Sequence, residues 1–156
     1  MATKSFKALI PPGPVTSRHP KLSAFTDGGA RGNPGPAALG VVLYAPGGEL
    51  VFEVGEYLGE RTNNQAEYAA LVRALLEAQR LGARILSCYL DSELVVRQLA
   101  GIYRVKDPDL RKLFEKAKHL ACGFERVTFE HVPREHNKEA DRLVNQALDH
   151  AATEKG

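Results

Sequence analysis

The stretch FTDGGARGNPGP, Phe25 to Pro36, joins a short apolar run to a loop carrying four glycines and two prolines. The run begins near Leu22 and ends on one carboxylate, Asp27. Strand-like residues that stop at a lone acid before a glycine-rich loop fit three readings: a phosphate cradle, a metal ligand or a plain turn. A phosphate loop of the P-loop type needs a Lys followed by Ser or Thr, and GGARGNPGP lacks both. The acid and the turn remain.

Working outward, the run predicts a first strand over about 22–28. ALGVVLY and ELVFEVGEYL are rich in β-branched and aromatic residues and flank APGG, Ala45 to Gly48, which is a hairpin signal. TNNQAEYAALVRALLEAQRLG carries apolar residues at Ala66, Ala69, Val72, Leu75, Leu76 and Leu81, the spacing of one helix face. Asn63 or Asn64 is its expected cap and Gly82 its expected end. RILSCYL (84–90) reads as a short strand covered on both faces. Ser92 opens a brief helix, ELVVRQLAG. Asp107 and Pro108 open another that closes near Gly123. RVTFEHV is a fifth strand, with His131 at an alternating position that predicts a packed side chain. Asn137 is the expected cap of a last helix running toward Thr153. The order βββ-α-β-α-α-β-α predicts an α/β fold: a five-stranded mixed sheet, its first three strands antiparallel, flanked by helices on both faces.

Composition narrows the class. At 156 residues the chain has the length of one domain. We divide it into a Pro-rich, basic, loosely ordered arm at 1–21 and a folded domain at 22–156. The formal net charge is +2. The arm carries Lys4, Lys7, Arg18 and Lys21 without an acid, so the remainder sums to −2. A mildly acidic body does not grip nucleic acid by charge alone, because such binding scales with the phosphates neutralised. No run approaches the roughly 20 apolar residues of a membrane span, and the start lacks the apolar segment of a secretory signal. Cys88 and Cys122 lie far apart in no metal-ligand spacing and read as two buried thiols of a reducing, cytoplasmic protein.

Four acids occupy special places. Asp27 ends the first strand, Glu67 lies in the first turn of the long helix, Asp91 follows the fourth strand, and Asp141 lies one turn into the last helix. Singly, each has an ordinary explanation as a turn, cap or solvated helix acid. In open α/β sheets, however, ligands gather beyond the carboxyl ends of parallel strands. Four acids at one such edge need protonation, separation or bound cations, and an oxygen-only set suits Mg²⁺ or Mn²⁺.

TDGGARGNPGPAALG, TNNQAEYAAL, LDSELVVRQL and NKEADRLVNQAL, in this order across 22–150, resemble the signature blocks of type 1 ribonuclease H. The resemblance is to the form without a basic protrusion and without an N-terminal hybrid-binding domain. It implies the ribonuclease H fold and endonucleolytic cutting of the RNA strand of RNA–DNA hybrids, by two Mg²⁺ ions or Mn²⁺ in their place, leaving 3′-hydroxyl and 5′-phosphate ends. By motif position Asp27 bridges both ions, Glu67 and Asp91 hold the ion on the leaving-group side, and Asp141 lies beside the ion that activates water. Asn33, Asn63 and Asn64 match residues that read the ribose 2′-hydroxyl, the group separating RNA from DNA. Thr62 matches a contact to a DNA-strand phosphate, and Gly28 allows substrate backbone close to Asp27. Capping remains an alternative for Asn63 and Asn64. The expected partner is a hybrid bound by a monomer.

The pattern departs in two places. Many relatives carry a histidine in a long mobile loop before the last acid; here HVPREHNKEAD is short, leaving Arg134 or His136 for that position. Arg134 cannot exchange protons near neutral pH but can attract phosphate, and His136 can titrate. In place of a basic protrusion, GIYRVKDPDLRKLFEKAKHL nets +3 and contains Tyr103, suited to stacking on a sugar or base, and Lys106. This predicts modest hybrid affinity that weakens steeply with salt. Two other functions fit a carboxylate cluster on this fold: a DNA-processing nuclease or transferase, and a noncatalytic hybrid-binding module. The paired asparagines disfavour the former and the full set of acids the latter.

Overall fold

A computed structural model describes residues 19–155. Its elements are β1 (Lys21–Ala30), β2 (Gly35–Tyr44), β3 (Leu50–Arg61), α1 (Asn63–Arg80), β4 (Ile85–Leu90), α2 (Glu93–Leu99), α3 (Pro108–Ala121), β5 (Arg126–His131), a 3₁₀ turn (Arg134–His136) and α4 (Lys138–Lys155). The strands form one sheet in the order β3-β2-β1-β4-β5. β1, β2 and β3 pair antiparallel, while β4 runs parallel to β1 and β5 parallel to β4. The mixed five-stranded sheet read from the sequence is the one observed. The arm assigned to 1–21 falls largely outside the described residues. Its last residues belong to the folded body: the His19 N–H donates to the Leu81 carbonyl, and Lys21 begins β1.

Strand β2 shows how the sheet is covered. Successive side chains of a strand face opposite ways. Leu39, Val41 and Leu43 join a large core with Tyr68, Leu71 and Leu75 of α1 and Leu110, Ala117 and Leu120 of α3. Ala38 and Val42 face the other way, against Ala140, Leu143, Val144 and Leu148 of α4. Each fully buried leucine contributes about 1.5–3 kcal/mol relative to exposure. α4 packs on β1, β2 and β3. On β4, accordingly, alternate residues are only half-buried, so the expected cover on both faces is incomplete there.

The helix ends follow local chemistry, with one shift. Thr62, not Asn63 or Asn64, caps α1: its Oγ1 accepts from the Gln65 N–H at 3.1 Å, and Gln65 Oε1 accepts from the Thr62 N–H at 2.9 Å. Threonine followed three residues later by glutamine makes a reciprocal capping box, which leaves both asparagines inside the first turn with their amides outside the cap. The helix ends as expected at Gly82, whose φ of 84° suits the left-handed position that closes a helix. Asp107 and Ser92 cap α3 and α2. Two further expectations are corrected. His131 is exposed, because β5 is an edge strand, and Cys122 is exposed at the end of α3, while Cys88 is buried.

No helix among the described residues is long and apolar enough to cross a membrane.

Candidate active site

Sheet register brings the first two acids together. β1 and β4 pair in parallel up to Thr26 and Leu90, so Asp27 and Asp91 occupy the next rung. β4 ends there, whereas β1 runs on to Ala30 in its pairing with β2, so Asp27 lies inside the strand rather than, as expected, at its end. Glu67 arrives from α1, and the reason α1 comes so near lies in β1. A Cβ on Gly28 would sit 2.2 Å from the Ala66 backbone and 2.4 Å from the Glu67 nitrogen. Only glycine allows that approach. Gly28 also donates its N–H to the Glu67 carboxylate. It lines the cleft, and its missing side chain makes room for the helix. Ser92 supplies Glu67 with a second hydrogen bond.

One carboxylate oxygen from each of Asp27, Glu67 and Asp91 lies within 4.8 Å of the others. Asp141, in the first turn of α4, lines the same open cleft of about 380 Å³ and lies within hydrogen-bond reach of Asp27. Unit charges at such separations repel by roughly 3 kcal/mol at an effective dielectric of 20. Asp27 is 7% exposed and Glu67 8%. Burial first, then Asp91, Glu67 and Asp141, push the Asp27 carboxyl from its ordinary 3.8 up to about 8. Burial, opposed by the Ser92 hydrogen bond, pushes Glu67 from 4.5 to about 7. A cluster of hard oxygens that resists ionisation by itself fits a divalent cation of the Mg²⁺ or Mn²⁺ type, which would take the place of those protons.

Arg134 and His136 open and close the same short turn, yet they face different sides. The 3₁₀ turn brings the Arg134 guanidinium to 3.5 Å from Asp141 and into the wall of the carboxylate cleft. Asp141, then Asp27 and Asp91, raise its already high pKa. His136 instead lines a separate cavity of about 170 Å³ with Phe25, Tyr44 and Glu139.

The asparagines tie the β1–β2 loop to the start of α1. Asn33 Oδ1 accepts from the Asn63 N–H at 3.0 Å, and Asn63 Oδ1 accepts from the Ala30 N–H at 3.2 Å. Asn63 and Asn64 line the carboxylate cleft; Asn33, Thr62 and Asn64 line a neighbouring cavity of about 410 Å³. With its Oγ1 accepting from Gln65, Thr62 keeps its O–H available to donate. Tyr103 and Lys106 lie between α2 and α3, outside both cavities; Tyr103 is 47% exposed, with the Arg97 guanidinium 5.7 Å from its ring centre.

Asn137 is the expected cap of α4, and its carbonyl does accept the first helical N–H, from Asp141. Its side chain does something else. Buried to 1% exposure, its amide nitrogen donates to the Thr26 carbonyl at 2.8 Å and to Asp91 Oδ2 at 3.3 Å. Asn137 therefore links β1 to the residue that follows β4 and orients Asp91. Nothing in its local sequence separates that from capping.

A family model described as reverse transcriptase-like matches residues 25–147. The chain is 47% identical over 131 residues to the ribonuclease HI of Halobacterium salinarum, covering 84% of this chain and 66% of that protein. It is 47% identical over 133 residues to a bifunctional protein of Mycobacterium tuberculosis, covering 85% of this chain and 36% of that one. The chain thus spans 36–66% of the length of these curated relatives. The crystal structure of LC11-RNase H1 in complex with an RNA/DNA hybrid superposes with a TM-score of 0.80 at 46% identity, covering 84% of this chain and 99% of that one.

Proposed function

The chain belongs to the type 1 ribonuclease H family, and from that premise we propose that it hydrolyses the RNA strand of RNA–DNA hybrids endonucleolytically. The observation that carries the proposal is the meeting of Asp27, Glu67, Asp91 and Asp141 in one cleft beside asparagine amides whose oxygens are already engaged. Those amides keep N–H donors for a ribose 2′-hydroxyl, which DNA lacks.

Asp27, Glu67, Asp91 and Asp141 would hold the divalent cations. A bound pair of such ions would supply neutralisation of the scissile phosphate and a more acidic water. The residues of the chain do the rest. Asn137 fixes the orientation of Asp91, Ser92 and the Gly28 N–H fix Glu67, and Arg134 attracts phosphate and eases its departure. The products are 3′-hydroxyl and 5′-phosphate ends. Thr62 and Asn64 would meet the DNA strand and the ribose edge, with Tyr103 and Lys106 farther along the bound duplex. His136 has no part in this reading. All four acids come from one chain, which supports a monomeric enzyme, and we read it as cytoplasmic.

End-labelled RNA–DNA, RNA–RNA and DNA–DNA duplexes, with Mg²⁺ and with chelator, test the reading on a gel. Cleavage of the hybrid RNA in Mg²⁺ is expected, and Asp27→Asn should abolish it while hybrid binding survives. Cutting of the DNA duplex instead, or undiminished turnover in Asp27→Asn, overturns the reading.

A further inference from the structure

The carboxylate cleft has a second cationic group that the hydrolytic reading leaves unused. Among the described residues lining it, the cationic ones are Arg31 and Arg134. Arg134 belongs to the Asp141 side. Arg31 follows Ala30, the residue whose N–H is held by Asn63, and precedes Asn33 by two positions. It therefore stands between the acids and the asparagines. In the free protein its guanidinium rests on α4, 2.7 Å from Asp149 Oδ1 and 3.4 Å from Asn145 Oδ1. Asn145 is itself fixed, its amide donating to the Asp141 carbonyl at 3.0 Å. The Arg31 and Asp149 side chains are 46% and 69% exposed.

We propose that Arg31 is a phosphate-binding residue for the strand that enters the carboxylate cleft, parked on Asp149 and Asn145 until substrate arrives. The proposal rests on the hybrid-nuclease reading and extends it. An ion pair this exposed contributes little to folding, so exchanging Asp149 for another anion is nearly free of cost. A phosphodiester offers the guanidinium fork two oxygens in matching geometry, which the parked arrangement, one carboxylate oxygen and one amide oxygen, does not. The fixed Asn145 keeps the arginine at the rim instead of letting it fall onto the acids, where it would compete with a cation. Asp27, Ala30, Arg31 and Asn63 line one cleft, and the Ala30 N–H is bonded to Asn63, so a strand lying along the cleft from Asp27 to Asn63 runs beside Arg31.

The test uses the full chain carrying Asp27→Asn, without divalent ions, and a fluorescein-labelled RNA–DNA hybrid followed by anisotropy across a range of KCl concentrations. Adding Arg31→Ala should weaken binding severalfold and lower the slope of log Kd against log salt by about 0.9, the value of one phosphate contact. Arg31→Lys should keep the slope and recover part of the affinity, since it keeps the charge and loses the fork. Asp149→Asn should bind at least as tightly as the parent, because the competing anion is gone. Melting temperatures should stay within a few degrees of the parent. An unchanged salt slope in a folded Arg31→Ala variant overturns the assignment, as does an Asp149→Asn variant weakened as much as Arg31→Ala. A parent that binds no hybrid overturns the nuclease reading and this inference together, whereas a normal parent with an unchanged slope removes Arg31 alone.

Discussion

An asparagine side chain has one acceptor and two donors, and at Asn33 and Asn63 the acceptor is spent inside the protein on a backbone N–H. What remains is a donor pair. That choice discriminates: a 2′-hydroxyl accepts, while a deoxyribose offers nothing in its place. It also separates two functions that alanine substitution would merge. Asn33→Ala removes the bond to the Asn63 N–H as well as the donors, and should cost about 1 kcal/mol of stability along with activity. Asn33→Asp keeps an oxygen for that N–H, removes the donors and adds a negative charge. Thermal melts and hybrid cleavage together make the test: Asn33→Asp should melt within a few degrees of the parent while its kcat/KM for the hybrid falls at least about a hundredfold, the loss expected when a site's hydrogen-bond group goes unmatched. Parental cleavage by Asn33→Asp would return the residue to a purely structural tie.

At the scale of elements, two backbones touch where side chains are missing. Gly28 admits α1, and Gly40 with Gly55 admits α4: a Cβ on Gly40 would lie 2.2 Å from the Ala140 carbonyl, and one on Gly55 2.5 Å from that of Leu143. Asp141 follows Ala140, so the depth at which α4 seats sets the position of the fourth acid. Gly40→Ala should cost about 1–3 kcal/mol by overpacking, several degrees in melting temperature, and should also lower kcat at temperatures where the variant is fully folded. A melting shift with parental kcat would confine Gly40 to packing. These contacts explain what the sequence makes legible. The acids can be located because each stands beside a change announced by local chemistry: apolar runs that stop at Asp27 and Asp91, a capped helix start before Glu67, a turn before Asp141. The purpose of the glycines cannot, because the groups they accommodate, on α1 and α4, are distant in the chain. Asn137 hides behind a capping role that its backbone does fill. Arg134 and His136 are indistinguishable until the 3₁₀ turn sets which faces Asp141, and His131 looks packed because alternation does not reveal that β5 is an edge.

At the scale of the whole molecule, the carboxylate cleft works against folding when it is empty of cations. Asp27 rises from 3.8 to about 8 and Glu67 from 4.5 to about 7 on folding, both chiefly through burial. Between roughly pH 4 and pH 8 the folded chain therefore holds protons that the unfolded chain has released. Stability must fall as pH rises wherever the native state binds more protons, so this contribution is destabilising above the folded values and absent below the unfolded ones. A tenfold change in proton affinity corresponds to about 1.36 kcal/mol, and sharing among four interacting acids leaves a net effect on the order of 2 kcal/mol. In chelator, the melting temperature should drop by roughly 4–8 °C between about pH 5.5 and pH 8.5. Millimolar Mg²⁺ should flatten that drop, because a cation bound only by the folded, ionised cluster stabilises by mass action and does so more as protons leave. Asp27→Asn, which removes the most strongly shifted carboxyl, should melt above the parent in chelator at about pH 8 and lose that advantage by about pH 5. Scans of melting temperature against pH, with and without Mg²⁺, decide the matter: a parent that grows more stable from about pH 6 to pH 8.5 in chelator would mean that the buried acids do not resist ionisation as their surroundings require.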